Sequence, residues 1–369
     1  MKALYLTLPL ALLLGTLNSC RDNSPQQPQA LTAYLATNSS DLASENARAI
    51  LREQLAACQA GKQSLADFPF AAVFMMSSVK SEADQATILN ILQELRDAGA
   101  DLTAPDPLGA TALHYAILSG QRDIIDWLQQ QGLSMQAVDK LQRNAVMYAA
   151  LGGQVELLRE MVAAGADLNC RDAMEQSLHM YAAQSGSIAC LEYLASQGMD
   201  ITAPAPNGLT PIIAASYSGN IDCLRYLQNK GCDITQAAND GVNAFMYAAW
   251  NGRTECLNFL LEQGLKADTL DKNGNTALHH ATFGGHPDTI GKLCDLGLNV
   301  NTANNLGATP LMVAAFTGYV PVIELLLARG ADINARDKEG KTAIQHAAAT
   351  NQIRAFEYLI EQAQKKQNN

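Results

Sequence analysis

Residues 304–336 read NNLGATPLMVAAFTGYVPVIELLLARGADINAR, and the phrasing recurs as DPLGATALHYAILSGQRDIIDWLQQQG from Asp106 and as DKNGNTALHHATFGGHPDTIGKLCDLG from Asp271. Copies start at 106, 139, 172, 205, 238, 271, 304 and 337, each 33 residues long without insertion, and the eighth ends on Asn369. The fourth position is Gly in six copies (Gly109, Gly208, Gly241, Gly274, Gly307, Gly340), behind an Asp or Asn at or near the start of the unit, which is turn chemistry. The sixth is Thr111, Asn144, Ser177, Thr210, Asn243, Thr276, Thr309 and Thr342, side chains that accept from free helix N–H groups, so a helix is expected to begin there in every copy. Pro211 and Pro310 follow where a first-turn proline is tolerated. Ala fills the eleventh position of all eight copies, implying a close approach of backbones, and Gly at the fifteenth of seven ends the helix. A second helix carries apolar pairs three apart, such as Leu191 with Leu194 and Ile323 with Leu326, and closes on Gly at 132, 165, 198, 231, 264, 297 and 330.

One such unit cannot bury its apolar faces alone and gains stability by stacking on its neighbours. The period and its phrases resemble ankyrin repeats, strongly over 106–369 and partially over 73–105, where Leu95 to Leu102 repeats the second half of the unit. The resemblance implies an all-α repeat solenoid of stacked helix-turn-helix units with short β-hairpin connecting loops. The polar eighth repeat, with Gln345, Asn351, Gln352, Arg354, Glu357 and Glu361, reads as the closing cap. Residues 38–105 read as a helical N-terminal cap with a degenerate repeat, including helical spacing over 42–60 and a Phe68–Met76 segment paired with a helix over Ile88–Ala98.

The N-terminus reads as an address. Residues 1–20, MKALYLTLPLALLLGTLNSC, hold one basic residue, an apolar run and then small polar residues, the layout of a signal peptide over 1–19. The run is shorter than the ~20 residues that span hydrocarbon. Leu17-Asn18-Ser19-Cys20 resembles the lipobox of bacterial lipoproteins, which implies lipidation of Cys20 and a membrane anchor; an ordinary signal peptide with an incidental Cys is the alternative. Residues 20–37, with two prolines in RDNSPQQPQA, form the lipidated N-terminus and tether. These features place the chain in the bacterial cell envelope. Its net charge of -11 argues against a phosphate-tracking nucleic-acid binder. Hydrophobic residues at 48% and charged residues at 17% describe a folding chain rather than a disordered tail.

No GxSxG, HExxH, P-loop or dinucleotide glycine motif is present, and no enzymatic activity or cofactor is expected. Asp271, Asn273 and Asn275 imitate the opening of a calcium loop, but Thr276 and Thr282 occupy the places of its Gly and bidentate Glu. His279 and His280 diverge by about 100° on a helix and do not share an ion easily, so His286 and Cys294 gain no metal site. In the family resembled, the His at the place of His114 and His279 is a structural hydrogen-bonding residue. Cys190, Cys223 and Cys256 recur at the nineteenth position and read as apolar fillers, because helices packed about 8–10 Å apart disfavour a bridge.

The thirteenth position is Leu118, Leu151, Gln184, Tyr217, Trp250, Phe283, Phe316 and Ala349, four of them successive aromatics. In ankyrin-like proteins this place and the hairpin tips line a concave partner-contacting face. The resemblance thus implies an exposed aromatic stripe, with small fourteenth residues leaving the rings accessible and Met246 and Met312 supporting them. The alternative is that the rings fill space between a helix and the next hairpin. Apolar tips at Leu108, Leu141 and Met174 extend the candidate surface, and Tyr115, Tyr148, Tyr181 and Tyr247 at the tenth position read as packing between units. The expected function is a non-enzymatic scaffold of the cell envelope that binds a protein partner through Tyr217, Trp250, Phe283, Phe316, Leu118, Leu151, Leu108, Leu141 and Met174. The competing reading is an oxidative-stress or metal-related protective protein acting through its cysteine row. A capped solenoid gives no positive reason to expect more than a monomer.

Overall fold

A computed structural model describes residues 82–97, 101–103, 105 and 108–368. The expected signal peptide, the expected lipidation site Cys20, the expected tether and the residues before 82 that were read as part of a cap lie outside the described residues. Two units are present, one ending at Met199 and one starting at Asp200. In the first, α1 (Glu82–Asp97) precedes three helix pairs: α2 (Ala112–Ser119) with α3 (Arg122–Gln130), α4 (Ala145–Leu151) with α5 (Val155–Ala163), and α6 (Leu178–Ser185) with α7 (Ile188–Ser196). The second holds α8 (Pro211–Ser218) with α9 (Ile221–Asn229), α10 (Ala244–Trp250) with α11 (Thr254–Glu262), and α12 (Ala277–Gly284) with α13 (Pro287–Asp295). It continues through α14 (Pro310–Thr317) with α15 (Val320–Ala328) and α16 (Ala343–Ala349) with α17 (Ile353–Asn368). The helix expected over Ile88–Ala98 is α1, which starts six residues earlier, at Glu82, as 88 - 82 gives.

Every first helix begins where the sequence places its cap. Asn144, Thr210, Asn243 and Thr276 accept from the backbone N–H three residues on. His114, His279 and Gln345, all ninth in their copies, accept in return from the N–H of the capping Thr. His279 also turns Nε2 toward the Ala308 carbonyl of the following hairpin, at 3.0 Å, so the structural role implied for this His is observed. Because Nδ1 accepts from Thr276, the ring is neutral with its proton on Nε2.

Within each unit the first helices of successive repeats pack closely, α2 on α4 on α6 and α8 on α10 on α12 on α14 on α16. Ala116, Ala149, Ala182, Ala215, Ala248, Ala281, Ala314 and Ala347 are fully buried along these contacts. The second helices bury Leu191, Leu194, Leu224, Leu227, Leu257, Leu260, Ile323 and Leu326. Their seam is covered from outside by guanidinium groups: Arg159 lies 4.5 Å from the Tyr193 ring centre and Arg225 4.7 Å from that of Phe259.

The connecting loops are hairpin-shaped but contain no β-strand among the described residues, which corrects the β-hairpin expectation. Two backbone bonds close each loop, as from the Asp271 N–H to the Asn275 carbonyl and from the Gly274 N–H to the Asp271 carbonyl, and one backbone bond joins neighbouring tips, as from the Lys272 N–H to the Asp240 carbonyl. Gly at the fourth position takes the left-handed conformation there; at Gly208 a Cβ would also stand 2.7 Å from the Asn239 nitrogen. The second and third repeats carry Gln142 and Glu175 instead, both held at positive φ (60° and 62°).

The first residue of the repeat anchors its hairpin. Oδ1 of Asp139, Asp172, Asp271, Asn304 and Asp337 each accepts two backbone N–H bonds, from the residues two and four places on. Oδ2 reaches the tenth residue of the same repeat. Tyr148 donates to Asp139 at 2.9 Å and Tyr181 to Asp172 at 2.5 Å, while His280 and His346 stand 3.2 and 2.8 Å from Asp271 and Asp337. The hydroxyls of Tyr148 and Tyr181 therefore tie their own hairpin to their own helix, while the Tyr148 ring also packs between units, its centre 4.7 Å from that of His114 in the preceding repeat. Arg143 closes a buried triad, its Nε 2.5 Å from Asp139 and its Nη2 donating to the Tyr148 hydroxyl at 2.7 Å.

Candidate partner-binding face

The C-terminal ends of the first helices form one edge of each unit, built by three neighbouring positions. The thirteenth carbonyl, whose own helix has run out, is satisfied by the sixteenth side chain of the next repeat: Gln154 donates to Leu118 O at 3.2 Å and Arg253 to Tyr217 O at 2.9 Å. His286 makes the corresponding bond to the Trp250 carbonyl. At Thr350 the fourteenth hydroxyl donates to Phe316 O at 3.1 Å. The fourteenth residue is small because that carbonyl lies against it; a Cβ at Gly152 would overlap Leu118 O, and one at Gly284 would overlap Trp250 O. Small fourteenth residues thus permit backbone contact between repeats, which corrects the expectation that they leave the rings accessible.

The rings themselves divide. Trp250 is buried, 6% exposed, with its centre 5.8 Å from Phe283 in an edge-to-face pair, 5.9 Å from Tyr247 and 6.4 Å from His280. It packs between repeats and is withdrawn from the exposed stripe. Its indole fills the space that glycine at 284 opens beside it. Tyr217, Phe283 and Phe316 are half-buried, as are Leu118 and Leu151 in the first unit, so the stripe is a row of ring edges rather than of exposed faces. Burial pushes the Tyr217 hydroxyl up to about 12, against the opposing pull of the Arg253 charge. Gln184, at the same position, is buried. At the tips, Leu108, Leu141 and Met174 are half-buried, whereas Leu306, third residue of the seventh repeat, is 37% exposed and Leu270, just before a repeat, is 55% exposed. These two residues extend the candidate surface and were not among those expected from the sequence. For Leu306 the signal available was a leucine in a turn position whose counterparts in the three preceding repeats are Asn207, Asp240 and Asn273.

Histidines 279, 280 and 346 are held in structural hydrogen bonds. Among the described residues no group of three metal-ligating side chains converges. The described cysteines, 170, 190, 223, 232, 256 and 294, are all free thiols. Burial pushes Cys223 and Cys256 up to about 12 and Cys232 up to about 11, and it also raises Cys190, so these groups are held as unreactive thiols. Among the described residues no helix is long and apolar enough to cross a membrane.

Stacked helix pairs, capped in phase and presenting an edge of ring edges and turn residues, define a helical repeat solenoid. A family model of ankyrin repeats (three copies) matches residues 77–172, 146–238, 178–271, 245–337 and 300–369. The chain belongs to the ankyrin-repeat family, whose members are generally non-enzymatic protein-interaction modules. Among solved structures it is similar to the crystal structure of the human ASB11 ankyrin repeat domain. The two are 27% identical with a TM-score of 0.45, over 59% of this chain and 98% of that one. Comparison with curated proteins gave no match.

Proposed function

We propose that the protein is a non-enzymatic interaction scaffold of the bacterial cell envelope, anchored by lipid at Cys20 and binding a protein partner along the first-helix edges of its units. The partner contacts are Tyr217, Phe283, Phe316, Leu118 and Leu151, with the tips Leu108, Leu141 and Met174 and, newly, Leu306. Trp250 supports Phe283 from behind. The observation that carries the reading is the half-burial of Tyr217, Phe283 and Phe316 at the thirteenth position of the fourth, sixth and seventh repeats. Such rings are pre-ordered by their own repeats yet retain surface for a partner, which lowers the ordering cost of binding.

The test separates contact from packing. Tyr217→Ala with Phe316→Ala should abolish partner capture at a stability cost per ring smaller than that of Trp250→Ala, which should lower stability by about 3–5 kcal/mol, as for other buried aromatics. Equal destabilisation per ring by both variants would make the whole row core. The protective reading through the cysteine row is disfavoured by the buried, protonated state of Cys190, Cys223 and Cys256.

A further inference from the structure

From the distribution of charge in the second unit we infer that the partner of this face is an acidic protein segment bearing large apolar side chains. The inference rests on the scaffold reading and specifies its partner. Although the chain carries a net charge of -11, its acids are unevenly placed. The second helices turn Asp222, Glu255, Asp288, Glu324 and Glu357 outward, all exposed. Along the opposite edge the acids are either withdrawn or paired. Asp271 is buried against His280 and Asn275, Asp337 accepts from Lys341 N–H and faces His346, Glu339 is paired with Lys341 at 2.7 Å, and half-buried Asp240 turns back to the Val242 amide.

The cations of that edge are not withdrawn. Arg253, Lys272 and Lys338 are exposed, and none of them enters an ion pair among the described residues. Arg253 uses only Nε internally, on the Tyr217 carbonyl, and its charge is felt by both the Tyr217 hydroxyl and the His286 ring, which places it within the row of rings. Lys272 and Lys338 stand at hairpin tips, the second of these bonded through its N–H to the carbonyl of exposed Leu306. An apolar edge whose unpaired outward charges are positive, on a chain that is otherwise acidic outside, repels basic partners through its flanks and attracts acidic ones at its centre. Three spaced cations do not track a phosphate backbone, for which the surrounding acids are unfavourable.

A library of random 16-residue peptides displayed on phage, panned on the full chain, tests this. Enriched sequences are expected to combine Asp or Glu with aromatic or large aliphatic residues. Their binding should weaken by between about threefold and a hundredfold in the triple variant Arg253→Gln, Lys272→Gln, Lys338→Gln, and in the same sense on raising salt from about 0.05 to 0.5 M. Glutamine at 253 keeps a donor for the Tyr217 carbonyl, as Gln154 does for Leu118, so the variant retains its fold. Neutral or basic peptides whose binding requires Tyr217 and Phe316 would overturn this inference while leaving the scaffold reading intact. Enrichment of nothing that depends on Tyr217 and Phe316 would remove both. Displacement of the bound peptides by a sixteen-residue oligothymidylate would assign the positive edge to nucleic acid and also overturn the inference.

Discussion

His279 makes the stability of the second unit depend on pH in a window that can be calculated. Burial lowers its pKa to about 4, from the ordinary 6.5, with the neighbouring His280 acting in the same direction. The geometry gives the reason, since Nδ1 accepts from the N–H and hydroxyl of Thr276, and a proton placed there would face a donor. In the unfolded chain the imidazole protonates at about 6.5, whereas in the folded chain it does not until about 4. Between those values the unfolded state binds more protons. The contribution is therefore complete above pH 6.5 and is lost as pH falls toward 4. At pH 5 the two titrations differ by about 2 kcal/mol relative to pH 7.5. The eighth repeat shows which substitution removes the titration without removing the cap, because Gln345 accepts from the Thr342 N–H at the equivalent position, at 2.9 Å. Urea unfolding of the wild-type chain and of His279→Gln, at pH 7.5 and at pH 5, should show the wild type losing about 2 kcal/mol more than the variant over that interval. Equal losses in the two proteins would refute the assignment of a neutral, doubly bonded His279. Asp271 and Asp337 act lower on the scale. Burial raises each, but hydrogen bonding and the charge of the facing histidine outweigh it and hold the carboxyl below its ordinary range, so their contribution is present above that range and is lost in more acidic solution.

Three further outcomes follow from the packing. Tyr181→Phe removes the hydroxyl that donates to Oδ2 of buried Asp172 and should cost about 2 kcal/mol in denaturant unfolding; an unchanged midpoint would show that the hairpin does not need the tie. Gly284→Ala introduces no backbone strain, since Gly284 is the last residue of helix α12 and is not at positive φ, but its Cβ would overlap Trp250 O. It should cost about 2 kcal/mol or more and change the fluorescence of Trp250, while a neutral effect would mean that the repeats separate easily. Gln142→Gly relieves a left-handed residue whose counterparts in six repeats are glycine, and should raise stability by about 0.5–1 kcal/mol, read as a higher urea midpoint with unchanged slope.

Much of this architecture is legible in the sequence because a repeat states each requirement several times. Caps at the sixth position, glycine at the fifteenth and alanine at the eleventh answer purely local demands, and each is found where its residue type places it. The coupling between first and tenth residues was equally present. Asp139 with Tyr148, Asp172 with Tyr181, Asp271 with His280 and Asp337 with His346 contrast with Ala205 and Ala214, where both are absent. It is hidden when each position is considered alone, since a tyrosine ladder has the same composition whether its hydroxyls bond within a repeat or its rings stack between repeats. The exposure of the thirteenth side chains was not legible for a different reason. It depends on which side chains the next repeat lays against the ring; Phe283 and His280 cover Trp250, whereas Leu118 stays half-buried although a Cβ at Gly152 would meet its carbonyl as closely as one at Gly284 would meet that of Trp250. A small residue beside a ring has opposite meanings according to whether solvent or a carbonyl occupies the space.

The most direct test of the account is affinity capture from the protein's own envelope extract with the full chain and with the Tyr217→Ala/Phe316→Ala variant, after verifying that both are fully folded at the capture temperature. A protein retained by the wild type and absent from the variant is the predicted result and establishes the first-helix edge as the binding face. The same proteins captured by both would contradict it.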